Sequence, residues 1–319
     1  MTSVNDTSQD TFYDNKTETH SEPPVIKKKK PGRPRKKPLK KPLKRNGISE
    51  HPLNADNCME MIYDMPSVFK RIFTLFKSMA VKEICMEFKE NTIDILTTDH
   101  LKKSHIKVVI KCDKINHYYC KEPIKSYLNP KNMEKIIQVL DKNYMTIAFV
   151  LKTITNRSIL NIIFKNDIEI DEYREIDLIQ ASNTAYNMSF ESDNYPIKFV
   201  LPGKYFKKFI NDISSFSDTL TINKIGSSSL TFSYTSKDKT VKSKHIVQSP
   251  DSIQLVSLIC NDDIFSSSIQ IDYIKPLSSS LLSDYVSIAA DTHKNMIFKV
   301  DVDNKTIEIL VNTNTIKLR

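Results

Sequence analysis

Between residues 66 and 79 the run PSVFKRIFTLFKSM sets Phe69, Ile72, Phe73 and Phe76 on one helical stripe, with Lys70, Arg71 and Lys77 mostly off it. Pro66 and Ser67 suit a helix start. The spacing predicts an amphipathic helix with a basic outer face. The period then changes to two. KEICMEFKE (82–90) and TIDILTT (92–98) flank a turn at Asn91, SHIKVVIKCD (104–113) alternates around β-branched residues, and HYYC (117–120) follows a short turn. PKNMEKIIQVLD (130–141) returns to helical spacing, with Met133, Ile136, Ile137 and Leu140 inward and Lys131, Glu134 and Lys135 outward. Strands resume at YMTIAFVLK, SILNIIFK and EYREIDLI, ending near residue 179.

The same order then recurs. YPIKFVLPGKYFKKFINDIS (195–214) reads as a strand and a helix, and its Phe206-Lys207-Lys208-Phe209 echoes Phe69-Lys70-Arg71-Ile72, 137 residues earlier. TLTINK, LTFSYTSK, KSKHIVQ and IQLVSLIC read as strands. IDYIKPLSSSLLSD (271–284) reads as a fourth helix, with Lys275 placed as Lys135 is, and YVSIAAD, MIFKVDVD and TIEILVN as closing strands. Two copies of helix, strands, helix, strands predict an α+β fold of two similar subdomains in tandem, 59–179 and 195–319. Residues 180–194 read as a connecting loop. Around it, residues 167–193 hold eight acids against one base, Arg174.

Residues 1–58 follow no such pattern and read as a disordered tail. Within it, KKKKPGRPRKKPLKKPLKR (27–45) carries twelve Lys and Arg and no acid. The chain's net charge is +9; residues 1–26 contribute −4, so the body from 46 to 319 is nearly neutral at +1. The basicity belongs to the tail. Its centre, Lys29, Lys30, Pro31, Gly32, Arg33, Pro34, Arg35, Lys36 and Lys37, resembles an AT-hook. The prolines hold the backbone extended and Gly32 has no side chain to obstruct a narrow groove. Arg33 and Arg35 can then follow the minor-groove floor of A/T-rich DNA while the lysines meet phosphates. A nuclear localisation signal or a non-specific tether would use the same residues.

Composition removes other classes. The 319 residues suit about two domains. No apolar run of 18 residues suggests a membrane span, and the polar, acidic N-terminus is no secretory signal. Five cysteines without a C-x-x-C pair indicate reduced thiols in an intracellular setting, host cytoplasm (a viral factory) or nucleus. Four widely separated glycines cannot form a phosphate-cradling loop. His100, His105, His117 and His245 lack metal-ligand spacing. His117 reads as a strand residue near a turn, and Asp301 and Asp303 as part of a hairpin turn at Asp303-Asn304-Lys305. The expectation is no catalytic site, no metal and no cofactor. The recurring basic helix faces carry more. Lys70/Arg71 and Lys207/Lys208 share one place in the repeat, and Lys135 and Lys275 another. Helices lying side by side would merge them into a stripe able to follow phosphates.

A duplicated β-rich unit with two basic helices per copy resembles the sliding clamp family of proliferating cell nuclear antigen (PCNA). The resemblance spans about 62–312 and rests on the order of elements and on SVFKRIFTLFKSM, HYYC…LNPKNMEKIIQVL, DEYREIDL and DIFSSSIQIDYIKPLSSSLLSDYVSIAAD. HYY, NYPIKF, LTINKIG and the GRP-containing basic leader are similar to the PCNA-like clamps of large cytoplasmic DNA viruses such as African swine fever virus. The resemblance implies sheets on the outside, two helices per subdomain on the inner face and a homotrimeric ring around double-stranded DNA. It implies a processivity factor for DNA polymerase that also tethers other replication or repair proteins. By the same resemblance Lys70, Arg71, Lys77, Lys131, Lys135, Lys204, Lys207, Lys208 and Lys275 face the hole, and Tyr186, Met188 and Phe190 of the connecting loop meet client peptides. The loop lacks the family's short Leu/Ile-Pro segment and NTNTIKLR replaces its acidic C-terminus. Two rival readings remain open: a non-ring processivity factor that holds DNA by charge alone, and an AT-hook chromatin or transcription protein.

Overall fold

The computed structural model describes residues 47–140, 144–154, 157–166, 171–179, 190, 195–225, 230–238, 241–247, 257–260, 264–279, 283–291 and 295–314. They lie within one compact unit, Pro42–Arg319. The first half runs β1 (Asn57–Tyr63), α1 (Pro66–Ser78), β2 (Ile84–Phe88), β3 (Thr92–Thr98), β4 (Ser104–Lys111), β5 (His117–Cys120), β6 (Ile124–Leu128), α2 (Pro130–Gln138), β7 (Tyr144–Ile154), β8 (Arg157–Asn166) and β9 (Asp171–Asp177). The second half runs β10 (Ile197–Pro202), α3 (Gly203–Ser214), β11 (Thr219–Ile225), β12 (Leu230–Thr235), β13 (Lys242–Val247), β14 (Ser257–Cys260), β15 (Ile264–Gln270), α4 (Ile271–Ser279), β16 (Tyr285–Ala290), β17 (Asn295–Val302) and β18 (Ile307–Asn314). The two lists match element for element, as the sequence repeat predicts.

Pairing repeats as well. The first half forms a sheet β5-β1-β7-β8-β9 and a run β6-β2-β3-β4; the second forms β14-β10-β16-β17-β18 and a sheet β15-β11-β12-β13. One pairing joins the halves. Strand β18 lies antiparallel to β4, from Ile307 opposite Ile110 to Thr313 opposite Ser104, and fuses two of these groups into a nine-stranded sheet. Along this seam Ile307, Ile309 and Val311 meet Ile110, Val108 and Ile106, all buried.

The helices cover one side. Helix α1 buries Val68, Phe69, Ile72, Phe73, Leu75 and Phe76 and packs on β7, while α3 buries Phe206, Phe209, Ile210 and Ile213 against β10 and β16. Each such side chain contributes roughly 1.5–3 kcal/mol, so the apolar stripes fix which way the polar faces point. Within the layer α2 packs on α1, α1 on α4 and α4 on α3. Four helices therefore stand side by side in the order α2, α1, α4, α3.

Three strands depart from the expected pattern. Strand β1 was hidden by its place at the end of a polar tail, β6 by its short span beside a helix, and β15 by its serines, of which Ser267 and Ser268 are buried. Helices α2 and α4 end at Gln138 and Ser279, earlier than the periodicity predicts. The tail expected to run through residue 58 also stops sooner. Gly47 donates to Ile115 O and accepts from Tyr118 N, and Ser49 donates to Tyr118 O, so residues 47–49 lie along the edge strand β5. Gly47 has φ +70, and a Cβ there would sit 2.9 Å from Asp113 O; only glycine fits.

This strap is anchored by a buried carboxylate. Glu60 accepts from Leu53 N (2.8 Å), Asn54 N (3.1 Å) and the Asn57 side-chain amide (2.5 Å), and lies 2.9 Å from His117 Nε2. Burial by itself would raise the Glu60 pKa; the hydrogen bonds from Leu53, Asn57, His117 and Asn54 outweigh it and hold the group below its usual 4.5. A carboxylate lowered in the folded state contributes stability above its unfolded pKa and loses it as pH falls through the folded value. Replacement Glu60→Gln should thus lower stability by about 1–3 kcal/mol at pH 7 and by less near pH 3. Urea titrations at the two pH values measure the difference.

Candidate nucleic-acid interface

The outward faces of the four helices hold nine cations, Lys70, Arg71, Lys77, Lys131, Lys135, Lys204, Lys207, Lys208 and Lys275, and three acids, Glu134, Asp212 and Asp272. Every one of the nine is exposed. The reason is local: each is interleaved with the apolar stripe that faces the sheets, so burial of Phe69 and Ile72 turns Lys70 and Arg71 outward, and burial of Phe206 and Phe209 does the same for Lys207 and Lys208. The helix layer brings all nine onto one surface.

Two of them have protein partners. Lys77 Nζ lies 2.5 Å from Glu134 Oε1, bridging α1 and α2, and Lys70 Nζ donates to Leu140 O at 2.7 Å. Arg71, Lys131, Lys135, Lys204, Lys207, Lys208 and Lys275 make no ion pair with a described residue. The sequence could not separate these groups, because Glu134 reads simply as an outward residue; its approach to Lys77 depends on how α1 and α2 pack.

The sheets treat charge differently. Glu87 lies between Lys125 (2.8 Å) and Lys89 (3.2 Å), and Asp94 between Lys89 (2.6 Å) and Lys107 (3.3 Å). Across the seam Glu308 takes Lys111 (2.5 Å) and Lys299 (3.1 Å). Burial opposes ionisation of Glu87 and Glu308, yet hydrogen bonds and charge from these lysines hold both below the usual carboxylate range. Cations on this face are neutralised in place, whereas seven on the helix face have only solvent ions. The acids that make the body nearly neutral in sequence thus leave one surface strongly positive.

Other candidates resolve as structure. His117 stands in β5 beside Glu60, and Asp303, Asn304 and Lys305 form the β17–β18 turn with φ of 48, 53 and 66. Among the described residues no group of three His, Cys, Asp or Glu side chains could hold a metal, and no helix is long and apolar enough to cross a membrane. The hook residues Lys29, Lys30, Pro31, Gly32, Arg33, Pro34, Arg35, Lys36 and Lys37 lie outside the described residues, as do Tyr186 and Met188. Phe190 is half-buried and belongs to no element.

Comparison with known proteins adds the following. A family model described as proliferating cell nuclear antigen, N-terminal domain, matches residues 58–184. The crystal structure of proliferating cellular nuclear antigen from Entamoeba histolytica superposes with TM-score 0.69 at 15% identity, covering 82% of this chain and all of that one. The chain is PCNA-like. This PCNA-like chain is also 26% identical, over 90% of its length and 97% of the relative's, to an uncharacterized protein of African swine fever virus (strain Badajoz 1971 Vero-adapted). It is 24% identical, over 74% of its length and 88% of the relative's, to a probable DNA polymerase sliding clamp of Paramecium bursaria Chlorella virus 1. The fold is the PCNA clamp fold, with the four helices on one side and the sheets on the other, and the viral relatives place the chain among clamps of DNA replication.

Because Lys207 and Lys208 are exposed and unpaired, the double substitution Lys207→Glu with Lys208→Glu should change stability by less than about 1 kcal/mol. Thermal melts of the two proteins check this, and an unchanged melt makes the pair a clean probe of ligand contacts.

Proposed function

We propose that the protein is a DNA sliding clamp: a homotrimeric ring that encircles duplex DNA and serves as the processivity factor of a DNA polymerase, without enzymatic activity of its own. The observation that carries this reading is the single layer of four helices bearing seven unpaired cations on the face opposite a sheet wall whose charges are paired. A basic wall built from long, mobile side chains contacts phosphates and reads no bases. Held by topology, such a ring slides. The printed description of the chlorella virus relative as a probable DNA polymerase sliding clamp supports the same reading.

Lys70, Arg71, Lys77, Lys131, Lys135, Lys204, Lys207, Lys208 and Lys275 form the inner wall, with Lys70 and Lys77 already engaged within the chain. Residues 29–37 add a second, A/T-preferring contact, and the connecting loop with Tyr186, Met188 and Phe190 receives polymerase and other replication or repair proteins. The site of action is intracellular.

The ring reading requires that the protein be a trimer by light scattering, that it stay on closed circular DNA, and that it run off linear DNA unless the ends are blocked. Equal retention on open and blocked linear duplex would favour an AT-hook protein, and a monomer that still stimulates a polymerase would favour a non-ring factor. Deletion of residues 1–46, which spares the strap, should weaken binding and flatten its salt dependence; log Kd plotted against log salt should lose about 0.9 in slope per phosphate contact removed. The helix-face variant Lys207→Glu with Lys208→Glu should flatten the slope as well, by about two such contacts per protomer, with the tail intact.

A further inference from the structure

The chain contains one example of how two of its halves join, and that example has an unfilled counterpart. Internally β18 pairs with β4. In the repeat β9 corresponds to β18 and β13 to β4, and both β9 and β13 are sheet edges. Resting on the ring reading above, we propose that β9 of one copy pairs antiparallel with β13 of the next in the register inherited from the internal seam. Glu175 then stands opposite Lys242, Tyr173 opposite Lys244, and Ile176 opposite Val241.

The register follows from the pairings. Turn Asp99–Ser104 before β4 and turn Ser236–Val241 before β13 have equal length and the same closing bond, Asp99 N to Ser104 O and Ser236 N to Val241 O. Ser104, His105 and Lys107 therefore correspond to Val241, Lys242 and Lys244. On the other side, Phe149 opposes Ile162 and Ile162 opposes Arg174, as Ile288 opposes Phe298 and Phe298 opposes Val311. Tyr173, Glu175 and Ile176 therefore correspond to Leu310, Asn312 and Thr313. The seam sets Leu310 opposite Lys107, Asn312 opposite His105 and Thr313 opposite Ser104, and the substitutions give the proposed pairs.

Two independent features mark these edges as an interface. The first is exposure. Met79, at the end of α1 beside the seam, is 5% exposed, while its counterpart Phe216 at the end of α3 is 51% exposed; Ser104 is fully buried, while its counterpart Val241 is 48% exposed. Positions closed at the internal junction stand open at the outer one. The second is charge. Strand β9 reads DEYREID and β13 reads KSKHIV, an acidic edge and a basic edge. Neither Glu175 nor Lys242 has an ion pair with a described residue. An acid-on-base edge favours the neighbour's β13 and disfavours pairing of β9 with β9, where like charges would face each other. The contact is head-to-tail, which closes by rotation into a ring. In that arrangement α3 of one copy lies beside α2 of the next, as α1 lies beside α4, so the basic helix layer continues across the junction.

The test is a charge swap read by light scattering over a dilution series at low and high salt. Glu175→Lys alone and Lys242→Glu alone should each raise the apparent dissociation constant of the trimer by about tenfold. The doubly exchanged protein, Glu175→Lys with Lys242→Glu, should return most of that affinity. A trimer indifferent to the single reversals, or not restored by the exchange, overturns this register and leaves the ring standing. A wild-type monomer at every concentration overturns both the register and the ring.

Discussion

Strand β18 lying against β4 is the constraint on which the rest of the molecule depends. A sheet edge is a row of unpaired backbone donors and acceptors, and a chain must either cover it or use it. Here the second half supplies the cover for the first. The same backbone hydrogen bonds bring Ile307, Ile309 and Val311 onto Ile110, Val108 and Ile106, so hydrogen bonding and apolar burial specify one register together. A slip of one residue would turn that whole set away from the core. Because the seam fixes the two halves relative to each other, it also sets α1 beside α4, and only then do two separate basic helix pairs become one surface.

That surface explains why a nearly neutral body can bind a polyanion. Exposed ion pairs contribute little to stability, so the ladder of lysines and carboxylates on the sheet face is weakly justified as a source of folding energy. Its consequence is where charge is cancelled. Lysines of β3, β4 and β17 meet acids within the sheets, while α1 and α3 carry cations with few acids nearby. Net charge is a property of the whole chain; the field over one face depends on arrangement. Lys77 and Lys70 show the same principle at smaller scale, since partners in α2 and at Leu140 already hold them and leave less of their charge for a ligand.

The helices were legible in the sequence because an apolar stripe with charged flanks has a single solution. Phe69, Ile72, Phe73 and Phe76 could only face inward, and the echo at Phe206 and Phe209 announced the duplication. Strands were legible where β-branched residues alternate, as in 104–111, and illegible where the buried face is small and polar. Ser267 and Ser268 are as buried as isoleucines elsewhere, but no periodicity in apolar character records it. The anchoring of residues 47–57 was invisible for a different reason. It rests on Glu60 collecting donors from residues before it and from His117 far along the chain, and a lone acid in a strand gives no hint of such partners. Of the interface, the cations were named from sequence; that they share a wall, and which of them are already paired, required the packing of α2, α1, α4 and α3.

The strap also gives the basic arm a fixed origin. Gly47 is tied to Ile115 and Tyr118, and Arg33 and Arg35 lie twelve to fourteen residues before it. An extended chain spans at most about 3.5 Å per residue, so those arginines reach no farther than about 50 Å from the anchor. Under the proposed function this turns the hook from a free DNA-binding peptide into a tethered one. Once a duplex occupies the ring, a contact within that radius is intramolecular, with an effective concentration set by the linker rather than by the protein in solution. Weak phosphate contacts by the helices then keep sliding easy, while the arm adds affinity that depends on local A/T content. Loosening the strap, by adding a side chain at Gly47 or removing the Glu60 carboxylate, would lengthen the tether without touching a single DNA contact, and would lower the arm's contribution in proportion to the volume it gains.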